Sequence, residues 1–129
     1  MSSFVFGEVT RMLDASDNEK TRISAILNES VTAIKDVTGQ YLERIILFGS
    51  YARKDHTSES DIDIMVLVDA DDDKIREIDN LLEDRIFDLS LNYDKILSII
   101  VKNRKHFKKW SDVLPFYTNV ENNGIVLYG

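Results

Sequence analysis

The chain has 129 residues, of which 43% are hydrophobic and 30% charged, and its formal net charge is −7. This length predicts one domain with a core of useful size, and the acidic balance disfavours direct binding to nucleic acid, because phosphate contacts need a positive surface. The absence of cysteine excludes disulfides and thiolate zinc sites and fits a reducing cytoplasm.

Residues 1–15 form a short apolar N-terminal extension that the sequence leaves unassigned, either as a helical turn or as a surface for a partner. Met1 to Leu13 has no basic region followed by a continuous apolar core, so we expect no signal peptide. No apolar run approaches the length that spans a bilayer. These features predict a small cytoplasmic protein.

A long amphipathic helix is predicted to begin after Ser16. Ser16 and Glu19 have the spacing of a capping box, in which side chains satisfy the free amide groups of the first turn. Apolar residues then recur at three- and four-residue steps, and Gly39 supplies a stop. These apolar positions are Ile23, Ile26, Leu27, Val31, Ile34 and Val37. We interpret this helix as a packing element.

The most informative stretch consists of two apolar strands around a polar loop. Residues 44–48 predict a strand covered on both faces, the Gly-Ser pair 49–50 predicts a sharp turn, and residues 51–60 predict a loop. Residues 61–68 predict the second strand, which begins with Asp61 and Asp63. Alternate side chains of a strand point to opposite faces, so the two carboxylates share a face, about 7 Å apart along the strand.

This combination indicates a site for a metal and a phosphate. Two carboxylates at that spacing can converge on one hard cation, and a Gly-Ser turn offers N–H groups and a hydroxyl to a phosphate oxygen. Each part alone is common and usually structural, since many strands end in a Gly-Ser turn and most Asp-x-Asp pairs cap an element or are solvated. The two together are much less common.

The combined pattern resembles the nucleotidyltransferase superfamily that includes DNA polymerase β, and in particular its minimal, single-domain bacterial members. The residues that carry the resemblance are Gly49, Ser50, Ala52, Arg53, Ser60, Asp61, Ile62 and Asp63. The family often has a glycine where this chain has Lys54. The resemblance implies an α/β (α+β) fold in which a small mixed β-sheet packs against helices, as in polymerase β.

The segment after the second strand predicts a helix and a third strand. The acidic triplet 71–73 favours a helix start, because carboxylates are stabilised at the positive end of the helix dipole, and metal binding is the weaker reading. Residues 86–93 alternate between apolar and polar side chains, which predicts a strand with Asp88 in its middle. The superfamily carries a third carboxylate on such a strand, so the resemblance points to Asp88 rather than Asp84.

The C-terminal part is less decisive. Residues 96–101 fit either an edge strand or a helix start. Residues 102–109 carry five basic side chains. We interpret them as a solvated helix face anchored by aromatic residues, with a surface for an acidic partner or for nucleotide phosphates as the alternative. Pro115 suits a first helical turn, Gly124 closes that helix, and residues 125–128 predict a terminal strand.

The resemblance implies nucleotidyl transfer, a reaction that depends on positioning and on charge neutralisation. Its expected catalytic and metal-binding residues are Asp61, Asp63 and Asp88, and its expected nucleotide contacts are Gly49, Ser50 and Arg53. Two Mg²⁺ ions and ATP are the implied cofactor and substrate. Asp88 has a second possible role as the base near the acceptor hydroxyl.

The minimal bacterial members resemble this chain in length and imply a specific partner. Such a protein is an antitoxin that transfers AMP from ATP to a tyrosine hydroxyl of a HEPN-domain ribonuclease toxin encoded beside it. Two other functions stay open. One is a module that neutralises its partner by contact alone, and the other is a nucleotidyltransferase that acts on a small molecule or a nucleic-acid end.

Overall fold

The computed structural model describes residues 16–129, and the N-terminal extension 1–15 lies outside the described residues. The elements in chain order are helix α1 (Asp17–Thr38), a 3₁₀ turn (Gly39–Tyr41), strand β1 (Leu42–Phe48), helix α2 (Ser50–Arg53), strand β2 (Ile62–Val68), helix α3 (Asp72–Tyr93), strand β3 (Leu97–Asn103), helix α4 (Arg104–Trp110), helix α5 (Pro115–Asn123) and strand β4 (Ile125–Tyr128).

The four strands form one mixed sheet in the order β3-β2-β1-β4. Strand β1 lies antiparallel to both β2 and β4, whereas β2 and β3 are parallel. Parallel neighbours need a crossover, which α3 provides between β2 and β3. The predicted fold class, a small mixed sheet packed against helices, is confirmed.

Helices cover both faces of the sheet. On one face, α1 and α3 pack against β2 through Ile64 and Val66, and on the other, α4 and α5 pack against Met65 and Leu67. All four of these β2 side chains are fully buried. Because neither face of β2 meets water, its sequence is a continuous apolar run rather than an alternation.

The predicted helix after Ser16 is confirmed as α1. The Ser16 hydroxyl accepts a hydrogen bond from the Glu19 amide at 3.2 Å, and Gly39 ends the helix at a φ of +53°. The side chain of Glu19 does not return to the cap. It pairs instead with Arg22 and with Lys95.

The predicted strand over residues 86–93 is wrong, because this segment forms the last two turns of α3. The buried residues of α3 are Ile78, Leu82, Ile86 and Leu89, whose spacing is helical. The segment contains neither glycine nor proline, so nothing in it stops the helix begun at Asp72. The helix continues to Asp94, which ends it in a left-handed conformation at a φ of +51°.

The C-terminal elements follow the remaining expectations. Of residues 96–101, which were left open between strand and helix, residues 97–101 belong to β3, and the basic segment continues into α4, where Phe107 is buried as the anchor. Pro115 occupies the first turn of α5, Gly124 ends that helix, and β4 pairs with β1. No helix within residues 16–129 combines the length and the hydropathy that a bilayer crossing requires.

Candidate active site

A cleft of about 630 Å³ opens where the end of β1 meets the start of β2. Strands β1 and β2 run antiparallel with Phe48 opposite Asp63, which brings the Gly-Ser turn and the carboxylate pair to the same edge of the sheet. The cleft is lined by Phe48, Gly49, Ser50, Ala52, Arg53, Glu59, Ser60, Asp61, Asp63, Phe116, Asn119, Val120, Asn123 and Gly124. Five of the six predicted site residues therefore line one cavity.

Gly49 connects β1 to the short helix α2 in a conformation that favours glycine. Its φ is +77°, and a Cβ atom added there would lie 2.2 Å from the Oδ2 atom of Asp63. The Asp63 carboxylate thus packs directly against the Gly49 backbone. Helix α2 begins at Ser50, and the first amide groups of a helix have no intrahelical acceptor, so they are free for an anion.

The two carboxylates differ in their surroundings. Asp63 lies in β2 and is half-buried, whereas Asp61 precedes the strand and is exposed. Burial raises the pKa of Asp63, the neighbouring Asp61 raises that pKa further, and Arg53 lowers it. A carboxylate whose ionised form is disfavoured by burial and by a neighbouring carboxylate gains from a nearby cation.

Arg53 also lines the cleft and contributes positive charge to it. Its guanidinium Nε lies 3.3 Å from the Oδ2 atom of Asp55, and both side chains are more than half exposed. Such an exposed pair is weak, so the guanidinium can exchange this partner for a phosphate.

The next residue, Lys54, occupies the position at which the family often has a glycine. Lys54 has a φ of +65° and a ψ of +25°, the left-handed conformation in which glycine has no steric cost. The loop therefore follows the path that the glycine would favour, although a lysine occupies the position.

The loop that leads to Asp61 is held by backbone contacts. The Thr57 amide donates to the Ser60 hydroxyl at 2.8 Å, and the Ser60 amide donates to the Thr57 carbonyl at 3.1 Å. The buried Lys95 ammonium donates to the Ser58 carbonyl at 2.9 Å. These contacts fix the approach of the chain to the first carboxylate.

Asp88 does not join the carboxylate pair. It is exposed on α3 and lines a separate depression between α1 and α3 together with Glu29, Thr32 and Arg85. Its proposed role as a third ligand rested on the strand that does not form. Among residues 16–129, no group of three His, Cys, Asp or Glu side chains is placed to hold a metal ion.

Strand β3 does not replace the missing carboxylate. It is the strand that follows β2 and its helix, and its sequence from Leu97 to Asn103 contains no acidic residue. The β3 residue opposite Asp63 is Ser98. The sheet therefore places a serine beside Asp63, and the third carboxylate that lines the cleft, Glu59, is an exposed loop residue.

The far wall of the cleft comes from α5 and was missed by the sequence analysis. Phe116 is 45% exposed and packs edge-on against Phe48, with ring centroids 5.5 Å apart. Asn119 and Asn123 follow on the same side of the helix and are exposed. No local motif marks these residues, because β4 pairing with β1 brings α5 to the cleft.

Comparison with known proteins identifies relatives along most of the chain. Residues 28–126 match the family model described as the nucleotidyltransferase domain. Two relatives come from Methanocaldococcus jannaschii, MJ0604 and MJ0141. Both are named protein adenylyltransferase as an inferred assignment. MJ0604 is 38% identical over 105 residues, covering 79% of this chain and 94% of the relative. MJ0141 is 35% identical over 108 residues, covering 80% and 96%.

Solved structures with a similar outline are more distant. A crystal structure of a toxin–antitoxin with AMP-PNP matches with a TM-score of 0.49 and 24% identity, covering 78% of this chain and 71% of that chain. A mutant of the toxin–antitoxin MntA–HpeT matches with a TM-score of 0.46 and 22% identity, covering 77% and 70%.

Proposed function

The chain belongs to the nucleotidyltransferase domain family, and from this premise we propose that it transfers AMP from ATP to a hydroxyl group of a protein acceptor in the presence of Mg²⁺. The observation that carries this proposal is the meeting of Asp61 and Asp63 with the Gly-Ser turn in one cleft. The choice of AMP and of a protein acceptor is supported by the names of the two archaeal relatives.

The residues of the cleft fit Mg²⁺. This ion is commonly held by one or two carboxylates together with substrate phosphates and water. Asp61 and Asp63 supply such a pair, and a cation offsets both effects that raise the pKa of Asp63, namely its burial and its repulsion by Asp61. We therefore assign both as metal ligands. When bound, Mg²⁺ supplies neutralisation of charge on the phosphates.

We assign the triphosphate of ATP to the side of the cleft formed by Gly49, Ser50 and Arg53. The turn offers N–H groups and a hydroxyl, and the Arg53 guanidinium offers positive charge. The α5 wall suits the adenine, because Phe116 offers an aromatic surface and Asn119 offers an amide that can both donate and accept. Phe116→Ala is then expected to raise the KM for ATP several-fold with little change in kcat.

The reaction is a substitution at the α-phosphorus. The acceptor hydroxyl oxygen forms a bond to the α-phosphorus, and the bond from that phosphorus to the bridging oxygen of the β-phosphate breaks. Pyrophosphate leaves with the electron pair, and the hydroxyl proton passes to water. The protein aligns the two oxygens and stabilises the developing charge, which is where the catalytic gain arises.

The resemblance to the minimal bacterial members adds the identity of the acceptor to the proposal. It implies a tyrosine hydroxyl of a HEPN-domain ribonuclease toxin, so that AMP transfer makes this chain an antitoxin. Since the reaction uses ATP and the partner is a ribonuclease, we infer that it takes place in the cytoplasm.

The test is incubation with labelled ATP and Mg²⁺, with and without the protein encoded by the adjacent gene, followed by intact-mass analysis. We expect the partner to gain the mass of one or more AMP groups. Asp61→Asn combined with Asp63→Asn should reduce this transfer by at least about a hundredfold while the fold is retained, because charge stabilisation is lost and repulsion is relieved. Transfer that persists in this variant overturns the assignment.

A second candidate function is neutralisation of the partner by binding alone. The observation in its favour is that β3 places Ser98, and not an acidic residue, beside Asp63. In the same assay, a tight complex without any transfer of AMP supports this function. Transfer to a small hydroxylated compound or a nucleic-acid end, but not to the protein, supports the remaining alternative of a different acceptor.

A further inference from the structure

A second groove borders the candidate active site and exposes three large apolar side chains. Its apolar part is formed by Phe87 and Leu91, one turn apart near the end of α3, and by Ile96 just before β3. These side chains are 62%, 64% and 64% exposed. Their exposure follows from the helical fold of residues 86–93, since α3 buries Ile86 and Leu89 and leaves the opposite side open.

The groove continues into the nucleotide cleft. Glu59, Ser60 and Asp61 line both cavities. A chain segment that lies along Phe87 and Leu91 therefore ends beside the first carboxylate of the proposed metal site. This continuity gives a reason why the apolar side chains remain uncovered at this position.

The rim of the groove carries acidic side chains. Glu59, Glu83 and Asp94 line it and are exposed. The one lysine in its lining, Lys95, has a side chain that is only 3% exposed and is paired with Glu19. A nucleotide triphosphate is repelled by such a surface, whereas a protein segment with apolar and basic side chains complements it.

We propose that this groove, formed by Phe87, Leu91 and Ile96 within an acidic rim, is the docking site for the acceptor protein. The segment that binds carries apolar side chains flanked by lysine or arginine and presents its hydroxyl to the cleft at Asp61. The inference rests on the proposed function in one respect, namely that the acceptor is a protein.

The test compares substitutions inside and outside the groove. Leu91→Glu and Phe87→Glu place a charge in the groove, and Leu81→Glu introduces the same charge at a leucine that is 54% exposed and outside the groove. With the adjacent gene's product as acceptor, both groove variants should raise the acceptor KM about tenfold or more, since buried apolar contacts dominate such interfaces. The KM for ATP and the activity of Leu81→Glu should stay at the wild-type values.

A charge reversal gives an independent readout that does not depend on a large apolar change. Glu83→Lys at the rim should weaken acceptor binding several-fold at low salt and have less effect at high salt, because a basic partner loses an exposed ionic contact. Glu77→Lys, on α3 outside the groove, is the control. Equal binding by these two variants contradicts the basic character of the docking segment.

The remaining outcomes separate this inference from the proposed function. If the wild type binds the partner tightly but transfers no AMP, and Leu91→Glu releases the partner, the groove is a docking site and the proposed reaction is wrong. If AMP transfer is equally efficient in Leu91→Glu and Leu81→Glu, the reaction stands and the docking site is wrong. If Leu91→Glu converts a dimer to a monomer without changing the acceptor KM, a second copy occupies the groove and the proposal is overturned.

Discussion

Gly49 determines where the Asp63 carboxylate can lie. The Oδ2 atom of Asp63 would be 2.2 Å from a Cβ atom at position 49, a distance that no real Cβ contact sustains. The glycine also has a φ of +77° and a ψ of −154°, a region that other residues rarely adopt. Because glycine has no Cβ atom, Gly49 permits both the backbone conformation of the turn and the observed position of the Asp63 carboxylate.

We predict that Gly49→Ala moves Asp63 and lowers AMP transfer by at least about tenfold, because a displacement near 1 Å at a catalytic group is costly. It should also reduce the free energy of unfolding by about 1 to 3 kcal/mol through backbone strain. Steady-state kinetics and urea denaturation measure the two effects.

Gly39→Ala is the matched control for this prediction. Gly39 also has a positive φ, +53°, but an added Cβ there meets nothing within 4 Å. The control should lose stability by a similar amount and keep its activity under conditions in which both variants are folded. Equal activities of the two variants would show that Gly49 acts only on the backbone.

At the scale of elements, α3 shows how far the sequence determines the fold. The residues 82, 86, 89 and 93 fit a helical repeat, and residues 87, 89, 91 and 93 fit an alternating one, so periodicity alone does not decide between helix and strand. The uninterrupted helix from Asp72 decides it, since no glycine or proline separates the segment from that start.

Some residues of the candidate site could be predicted from the local sequence, and others reach the cleft only through the tertiary fold. The Gly-Ser turn and the Asp61–Asp63 pair lie within 15 residues of each other, so their meeting could be predicted from one strand–loop–strand unit. Phe116 and Asn119 reach the cleft only through the pairing of β4 with β1, which no local pattern specifies. Asp88 was predicted to join the site because residues 86–93 were predicted to form a strand, whereas they belong to α3.

We predict that Asp88→Ala leaves AMP transfer unchanged within about twofold, because Asp88 lines a different depression from the carboxylate pair. The same substitution should raise the free energy of unfolding by about 0.5 kcal/mol, since alanine is the better helix former at this exposed position. Kinetics and urea denaturation test both parts. Loss of transfer in a folded Asp88→Ala variant would restore Asp88 as a catalytic residue.

At the scale of the whole molecule, Lys95 joins three parts of the chain that are far apart in sequence. It lies between α3 and β3, and its ammonium contacts Glu19 at the start of α1 and the Ser58 carbonyl in the loop before Asp61. The Lys95 side chain is 3% exposed and that of Glu19 is 20% exposed. A buried lysine depends on such partners, because an unpaired charge there is costly.

The pKa of Glu19 makes this junction sensitive to pH. Burial alone raises that pKa, but the hydrogen bonds and charges of Arg22 and Lys95 outweigh burial and lower it from the usual value of 4.5. A carboxyl whose pKa is lower in the folded state stabilises the protein above its unfolded pKa. This stabilisation is lost as the pH falls through the lower, folded-state pKa.

We therefore predict that Glu19→Gln lowers the free energy of unfolding by about 1.5 to 3 kcal/mol at pH 7, the range for hydrogen bonds to charged groups. The difference from the wild type should shrink as the pH falls below 4.5, where the wild-type carboxylate becomes protonated and loses the same interactions. Urea denaturation at several pH values measures it. Glu83→Gln, at an exposed position, should differ from the wild type by less than about 0.5 kcal/mol at every pH. A Glu19→Gln deficit that is constant across this pH range would instead assign the effect to packing around Lys95.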